Sequence, residues 1–333
     1  MGEKKTKSET GETGWVKIIA PYRNGDNLHS WWQIANTLIP YIALWVLMVY
    51  SLKFSYWITL PLIILSSGFL VRLFIIFHDC GHGSFFESKR LSEAVGYFLG
   101  VLTFTPYHRW HHSHLIHHRT VGNLDKRGIG DVWTLTVAEY KALPAKKQLY
   151  YRIYRNPWIM FGIGAAGMFL ISNRFTRKSF SRKEKMSIYF NNLGIAVLAA
   201  VLCYTIGWKA YLLIQLPVMY LASMAGVFLF YLQHQFDRVH WYKDEEWDFK
   251  TLAIMGSSFY KLPKVLQWFS GNIGFHHVHH LSSKIPNYRL EKCHLETDLF
   301  KTVVPIPFLK GFKMVKLKLW DEMTGKLVGF RSI

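Results

Sequence analysis

Four long apolar stretches, separated by shorter polar segments, dominate the pattern of this 333-residue chain. They cover residues 31–50, 57–77, 188–206 and 208–232. Each holds about twenty residues, and a helix of that length, rising 1.5 Å per residue, crosses roughly 30 Å of hydrocarbon. The pattern therefore predicts an all-α integral membrane protein with four transmembrane helices.

Two further apolar stretches are too short to cross a bilayer with ease. Residues 91–106 are predicted to form a re-entrant or interfacial helix. Residues 157–172 are predicted to form a partly inserted hairpin element, because the loop that follows would otherwise lie on the far side of the membrane. That loop, residues 173–186, carries six Lys and Arg side chains against Glu184 alone, and such cationic loops stay in the cytosol.

An even number of membrane crossings places both ends of the chain on one side of the membrane. The four predicted spans divide the chain into five parts. They are a polar N-terminal tail (1–29); the first two transmembrane helices with a re-entrant helix (30–106); a cytosolic block with an interfacial hairpin (107–186); transmembrane helices three and four (187–232); and a cytosolic C-terminal block (233–333). We expect the two blocks to form a cytosolic helical cap.

The composition of the chain limits the classes of partner that it is expected to bind. Half of its residues are hydrophobic, 17% are aromatic, and the net charge is +19. The cations avoid the apolar stretches and lie in the loops, an arrangement that fits anionic lipid headgroups and an acidic protein partner rather than nucleic acid. The cysteines Cys80, Cys203 and Cys293 are isolated, so the sequence indicates neither a disulfide framework nor a cysteine zinc site. Residues 1–14 lack the apolar core of a secretory signal, and the first membrane helix is expected to direct insertion.

Three sets of histidines carry the candidate chemistry. Box one is His78-Asp-Cys-Gly-His82, box two is His114-Leu-Ile-His117-His118, and box three is His276-His-Val-His279-His280. Residues three and four apart share one face of a helix. Each box lies beside or beyond the end of an apolar stretch. Eight imidazoles in three helical sets fit a transition-metal site with more than one ion, since one ion rarely takes more than six ligands.

Solvated histidine faces are the simpler alternative for these sets. Adjacent rings on such faces would repel one another when protonated, with no compensating gain. A metal transporter is a second alternative, but it predicts ionisable side chains within the spans, and Arg72 is almost alone there.

The order HDCGH, HLIHH, HHVHH resembles the membrane fatty-acid desaturases that carry three histidine boxes. The segments 123–140 and 271–288 are similar to those of bacterial acyl-lipid desaturases of the Bacillus type, and the resemblance covers roughly residues 30–295. It implies a di-iron centre with the ligands His78, His82, His114, His117, His118, His276, His279 and His280. A further ligand of that family, on the last membrane helix, matches His234. The acyl-CoA branch has an asparagine four residues before that histidine, where this chain has Phe230, and Gln233 is the candidate to substitute for it.

The roles of other polar residues near the boxes have two interpretations each. Asp79, Asp125, Asp131 and Asp237 are candidates to orient the second nitrogen of a ligand histidine, or are ordinary caps and loop residues. Lys126 and Arg127 either meet a lipid phosphate or form a solvated turn. We expect His111 and His112 to make surface or supporting hydrogen bonds, and the family pattern treats His277 as variable.

The resemblance implies a membrane acyl-lipid desaturase that introduces a cis double bond into a saturated chain with O2 and two electrons. The electrons would come from a separate donor, such as ferredoxin, flavodoxin or cytochrome b5, because no His-Pro-Gly-Gly haem motif is present. The expected location is a bacterial cytoplasmic membrane, with both termini and the active site on the cytosolic side. A hydroxylase, ketolase or other monooxygenase of the same fold is the alternative enzyme.

Overall fold

The computed structural model describes residues 12–333, so residues 1–11 of the polar N-terminal tail lie outside the described part. The described chain is mostly helical. Its α-helices are α1 (Glu12–Ile19), α2 (Asn27–Ser51), α3 (Tyr56–His82), α4 (Lys89–Leu102), α5 (Tyr107–Thr120), α6 (Val137–Ala142), α7 (Ala145–Tyr154), α8 (Ala165–Leu170), α9 (Arg182–Ile206), α10 (Trp208–His234), α11 (Phe249–Met255), α12 (Lys264–Phe269), α13 (His276–Leu281), α14 (Asn287–Glu296) and α15 (Phe308–Met314).

The four longest helices are those that the apolar pattern predicts. Helices α2, α3, α9 and α10 have 25 to 27 residues and mean hydropathies of 1.6, 2.3, 1.8 and 1.9 over their most apolar windows. A helix of that length extends about 38 to 40 Å, enough to cross the hydrocarbon of a bilayer. The prediction of four helices of membrane-spanning length and composition is confirmed.

Local signals at the helix ends explain where these helices begin and stop. Ser55 caps α3 by accepting a hydrogen bond from Trp57 N, and a capping box between Ser181 and Glu184 begins α9. Helix α3 ends at His82 and is followed by Gly83, whose φ of +59° is easily adopted without a Cβ. Short links join α2 to α3 and α9 to α10, so each pair is an antiparallel hairpin, and α3 packs against α2, α4 and α10.

The stretch predicted to be re-entrant or interfacial contains α4. This helix has 14 residues, about 21 Å at 1.5 Å per residue, so it is too short to span. It lies against α3 and α9. Gly96 permits close contact with α5, since a Cβ on Gly96 would lie 2.2 Å from the ring of Tyr107.

Residues 157–172 form one interrupted helix rather than the expected hairpin. A π-helical segment, Trp158–Gly164, continues directly into α8. Three glycines in this stretch reduce side-chain bulk, and Gly162 brings the backbone close to the hydroxyl of Tyr220 on α10. Because the segment packs along α10 as a single unit, it does not need to turn back on itself.

The described chain also contains short β-strands, so the predicted all-α fold class is corrected to mostly α-helical. Two small sheets pair β1 (Leu135–Thr136), β4 (Leu319–Asp321) and β5 (Lys326–Val328), and β2 (Tyr260–Lys261) with β3 (Ile306–Pro307). The β1–β4 and β2–β3 pairs are parallel and join distant parts of the chain, whereas β4 and β5 form an antiparallel hairpin. Strands of two or three residues are too short to show an alternating pattern in the sequence.

Candidate metal centre

Four separate elements bring nine histidines to one place. The C-terminal end of α3 supplies His78 and His82, and the C-terminal end of α10 supplies His234. Helix α5 supplies the second box and α13 supplies the third. All nine side chains are buried, each with at most 8% of its surface exposed. Two helices of membrane-spanning length and two helices outside them therefore share one site.

The nine histidines form two adjoining groups, and in each group one ring nitrogen from every histidine lies within 4.8 Å of those of the others. The first group contains His78, His82, His114, His118 and His279, and the second contains His117, His234, His276 and His280. Box two is divided between them: the i, i+4 pair joins the first group, and His117 joins the second. Neighbouring residues of one helical turn thus face different centres.

The distances between facing ring nitrogens suit metal ligands. In the first group, His114 Nε2 lies 3.0 Å from both His78 Nε2 and His118 Nε2. In the second group, His234 Nε2 lies 3.0 Å from His117 Nε2 and His276 Nε2. Two nitrogens that bind one transition-metal ion at about 2.1 Å, at a right angle, are roughly 3 Å apart. The donor set therefore fits one ion in each group.

The protonation of these rings also suits metal binding. Burial, followed by repulsion from the neighbouring histidines, lowers the pKa of His114, His118 and His279 well below the usual 6.5. The same causes lower the pKa of His276 and His280. Within the described chain, both nitrogens of His280 and the Nδ1 atoms of His276 and His279 have no hydrogen-bond partner. Neutral imidazoles with free nitrogens are the ligand form that transition metals bind.

Three of the rings are held through their second nitrogen. His78 Nδ1 donates to Asp79 at 2.9 Å, and His117 Nδ1 donates to Asp131. His234 Nδ1 donates to the carbonyl of Gly256 at 3.2 Å. Such bonds leave Nε2 free to face the centre and fix the orientation of the ring.

Two of the four candidate aspartates have other partners, which corrects the expectation that they orient histidines. Asp125 accepts a hydrogen bond from Asp244 N, and Asp237 forms an ion pair with Lys310 at 2.6 Å. Both lie in loops beyond the ends of α5 and α10. They stand close in the chain to box two and to His234, but the side chain of Asp125 bonds to the loop at Asp244 and that of Asp237 bonds to α15.

The two candidate headgroup residues are engaged within the protein. Lys126 pairs with Asp244 at 2.7 Å. Arg127 donates to Glu139 and, at 2.8 Å, to the carbonyl of Leu124. These contacts hold the loop after α5 in place, and a lipid phosphate would have to compete with them.

The remaining histidines near the boxes stay outside both groups. His112 Nδ1 lies 3.0 Å from the carboxylate of Glu184, and His277 Nε2 lies 2.9 Å from His294 Nδ1. Burial, then repulsion from His294, lowers the pKa of His277 to about 3. The ring of His111 lies 6.4 Å from that of His82, centroid to centroid, without joining the first group.

Two residues that support the histidine groups were not identified from the sequence. Asn287 donates to Asp79 from both its backbone nitrogen (2.6 Å) and its side chain (2.9 Å). Arg155 is fully buried and donates to Gln235, next to His234, and to atoms of residues 133, 134 and 317. The sequence offers no local signal for either role, because their partners are more than twenty residues away along the chain or belong to another block.

Comparison with known proteins is consistent with this site. The family model for "Fatty acid desaturase" matches residues 54–306, which contain all nine histidines. A protein of Bacillus subtilis named "Fatty acid desaturase" is 49% identical over 96% of this chain and 90% of its own length. The "sn-1 acyl-lipid omega-3 desaturase (ferredoxin)" of Nostoc sp. is 29% identical over 80% of this chain and 74% of its own. The "sn-1 oleoyl-lipid 12-desaturase" of Picosynechococcus sp. is 24% identical over 80% and 76%.

Proposed function

The chain belongs to the fatty acid desaturase family, and from this premise we propose that it introduces a cis double bond into a saturated acyl chain of a membrane lipid, using O2 and two electrons. The observation that carries the proposal is the pair of adjoining histidine groups. Buried imidazoles from four elements face two centres, and carboxylates hold two of the rings from behind. The relatives named as acyl-lipid and oleoyl-lipid desaturases support the choice of substrate class.

We propose that each group holds one iron ion. His78, His82, His114, His118 and His279 would bind one ion, and His117, His234, His276 and His280 would bind the other. When bound, the two irons supply the oxidant, made from O2, that removes hydrogen from unactivated methylene groups. The protein contributes neutral ligands, which leave the positive charge of the ions in place, unlike a carboxylate-rich set.

The residues around the ligands set their orientation and exclude water. Asp79 and Asp131 accept the Nδ1 protons of His78 and His117, which fixes the tautomer that presents Nε2. Trp110 stacks on His114, with ring centroids 4.4 Å apart. Its indole covers one side of the first group, so water has less access to the reacting atoms on that side.

We propose that α2, α3, α9 and α10 cross a bacterial cytoplasmic membrane, with both termini and the histidine groups on the cytosolic side. The strongly cationic segment 173–186, which runs into the start of α9, supports this orientation. Arg72, within α3, is satisfied by Thr37 and by the carbonyl and ring of Trp268, 3.9 Å from the ring centroid. Because Arg72 has these partners within the protein, it has a structural role that does not require a transport path through the spans.

The reaction needs a reductant that the nine histidines cannot supply. We propose a separate one-electron donor, such as ferredoxin, flavodoxin or cytochrome b5. The name of the Nostoc relative includes ferredoxin, and the excess of basic residues favours an acidic donor.

Expression in a host that makes no unsaturated lipids tests the proposal. The wild-type chain should yield lipids that are two hydrogens lighter, and mapping should place one cis double bond in the acyl chain. His279→Ala should abolish the product while leaving the protein in the membrane fraction. His112→Ala, on the exposed side of α5, should retain it. A hydroxylated product would identify a monooxygenase, and bound, exchangeable zinc without any product would identify a transporter.

A further inference from the structure

A surface opening reaches the histidine groups from outside the four long helices. It has a volume of about 370 Å³ and is bounded by α1, α5, the end of α13 and residues 282–284. None of its lining residues belongs to α2, α3, α9 or α10. We refer to it as the basic opening, and its walls place it on the cap rather than along the spans.

The floor of the basic opening contains one histidine from each group. His118 belongs to the first group and His280 to the second. Their rings stack, with centroids 4.1 Å apart and an angle of 16° between the planes. A redox partner that reached this floor would therefore be within contact distance of ligands of both centres.

The rim of the basic opening carries cations and no acidic residue. Arg23, Arg119 and Lys284 line it. Among residues 12–333, none of the three forms an ion pair. Lys284 Nζ donates to the carbonyl of His82, which ties the rim to the end of α3. Three uncompensated cations around one opening attract an acidic partner.

The walls between floor and rim are apolar. Trp15 and Phe249 line the opening with ring centroids 6.5 Å apart, and Leu115 lies on α5 between the rim and the floor. A small apolar patch inside a ring of like charge suits a short-lived complex, in which charge steers the encounter and the apolar centre holds the docked partner.

We propose that the basic opening is the docking surface for an acidic one-electron carrier protein and that the stacked pair of His118 and His280 is where electrons enter. This inference rests on the proposed function. For each double bond, CH2–CH2 + O2 + 2 e⁻ + 2 H⁺ gives CH=CH + 2 H2O. The carrier is oxidised by one electron per encounter, so two encounters complete one turnover.

Binding of a reduced plant-type ferredoxin to the iron-loaded protein in lipid nanodiscs tests the proposal without requiring any turnover. The double variant Arg23→Glu, Arg119→Glu reverses two charges on the rim. The matched control, Arg177→Glu, Lys178→Glu, makes the same change at exposed positions of the loop before α9. Kd is measured at low and high salt, and iron content and the rate of ferredoxin oxidation are measured alongside.

The rim variant should weaken binding about tenfold at low salt with iron content unchanged, and the control should stay within about twofold of the wild type. An equal loss in both variants, or a loss in the control alone, would overturn the proposal. So would a rim variant that still binds ferredoxin but no longer binds phosphatidylglycerol vesicles, since its cations would then serve lipid. If ferredoxin binding follows the prediction but no variant, including the wild type, makes a double bond, the proposed function fails and the docking surface stands.

Discussion

Asp79→Asn is the sharpest test of how the first histidine group is held together. The Asp79 carboxylate is 1% exposed and accepts three hydrogen bonds, one from His78 Nδ1 and two from Asn287. The substitution keeps the size of the side chain but removes its charge and one acceptor oxygen. At least one donor must then lose its partner, and the amide can turn its own N–H toward His78 and favour the wrong tautomer.

The expected loss follows from these contacts. Removing a carboxylate behind a metal-bound histidine lowers metal affinity about 10- to 100-fold, equivalent to about 1.4 to 2.8 kcal/mol. The link between Asp79 and Asn287 also joins the end of α3 to the start of α14. A hydrogen bond to a charged group contributes about 1.5 to 3 kcal/mol, so the thermal midpoint should fall as well.

The assay is the retention of iron against increasing concentrations of chelator, measured by metal analysis of the purified protein. Asp237→Asn is the matched control, because the sequence places both aspartates beside a ligand histidine, yet Asp237 pairs with Lys310 away from both groups. Iron retention should fall in Asp79→Asn and stay within about twofold of the wild type in the control. Equal behaviour of the two variants would refute the role assigned to Asp79.

Three other substitutions test the packing outside the four long helices, including the contact between α4 and α5. Arg155→Met leaves four acceptors of a buried guanidinium without their donor. It should lower the free energy of unfolding by about 3 to 5 kcal/mol, measured from the thermal midpoint of unfolding. An unchanged midpoint would contradict this expectation. Gly96→Ala places a Cβ against Tyr107 and should destabilise by about 1 to 3 kcal/mol, which a wild-type midpoint would disprove. Burial, then repulsion from Arg155, lowers the pKa of Lys318 from 10.5 to about 7. Between these two pKa values the unfolded chain binds more protons than the folded chain. The stability of the wild type relative to Lys318→Met should therefore rise from pH 7 to pH 10, by at most about 1.4 kcal/mol per pH unit. Parallel curves of stability against pH for the two proteins would exclude this pKa shift.

The sequence predicted the long helices and the three sets of histidines because both depend on local spacing. Apolar runs of about twenty residues determine where α2, α3, α9 and α10 lie. The i, i+3, i+4 spacing determines which rings share a helix face. The family resemblance was confirmed by the match over residues 54–306, and it supplied His234, a single histidine that no spacing rule would select.

The sequence could not show how the boxes divide between two groups. His117 and His118 are adjacent, yet they belong to different groups, because α3 completes one group and α10 completes the other, while α13 contributes to both. Nor could it separate Asp79 and Asp131 from Asp125 and Asp237. All four stand in or near a histidine box or near His234, and only the folded structure decides which carboxylates turn toward a ring.

Anomalous diffraction at the iron absorption edge, from crystals of the purified protein, tests the central claim most directly. The account predicts two iron peaks, one surrounded by the ring nitrogens of His78, His82, His114, His118 and His279, and the other by those of His117, His234, His276 and His280. A single peak, or iron outside these rings, would contradict the two-centre site and the oxidative chemistry proposed for it.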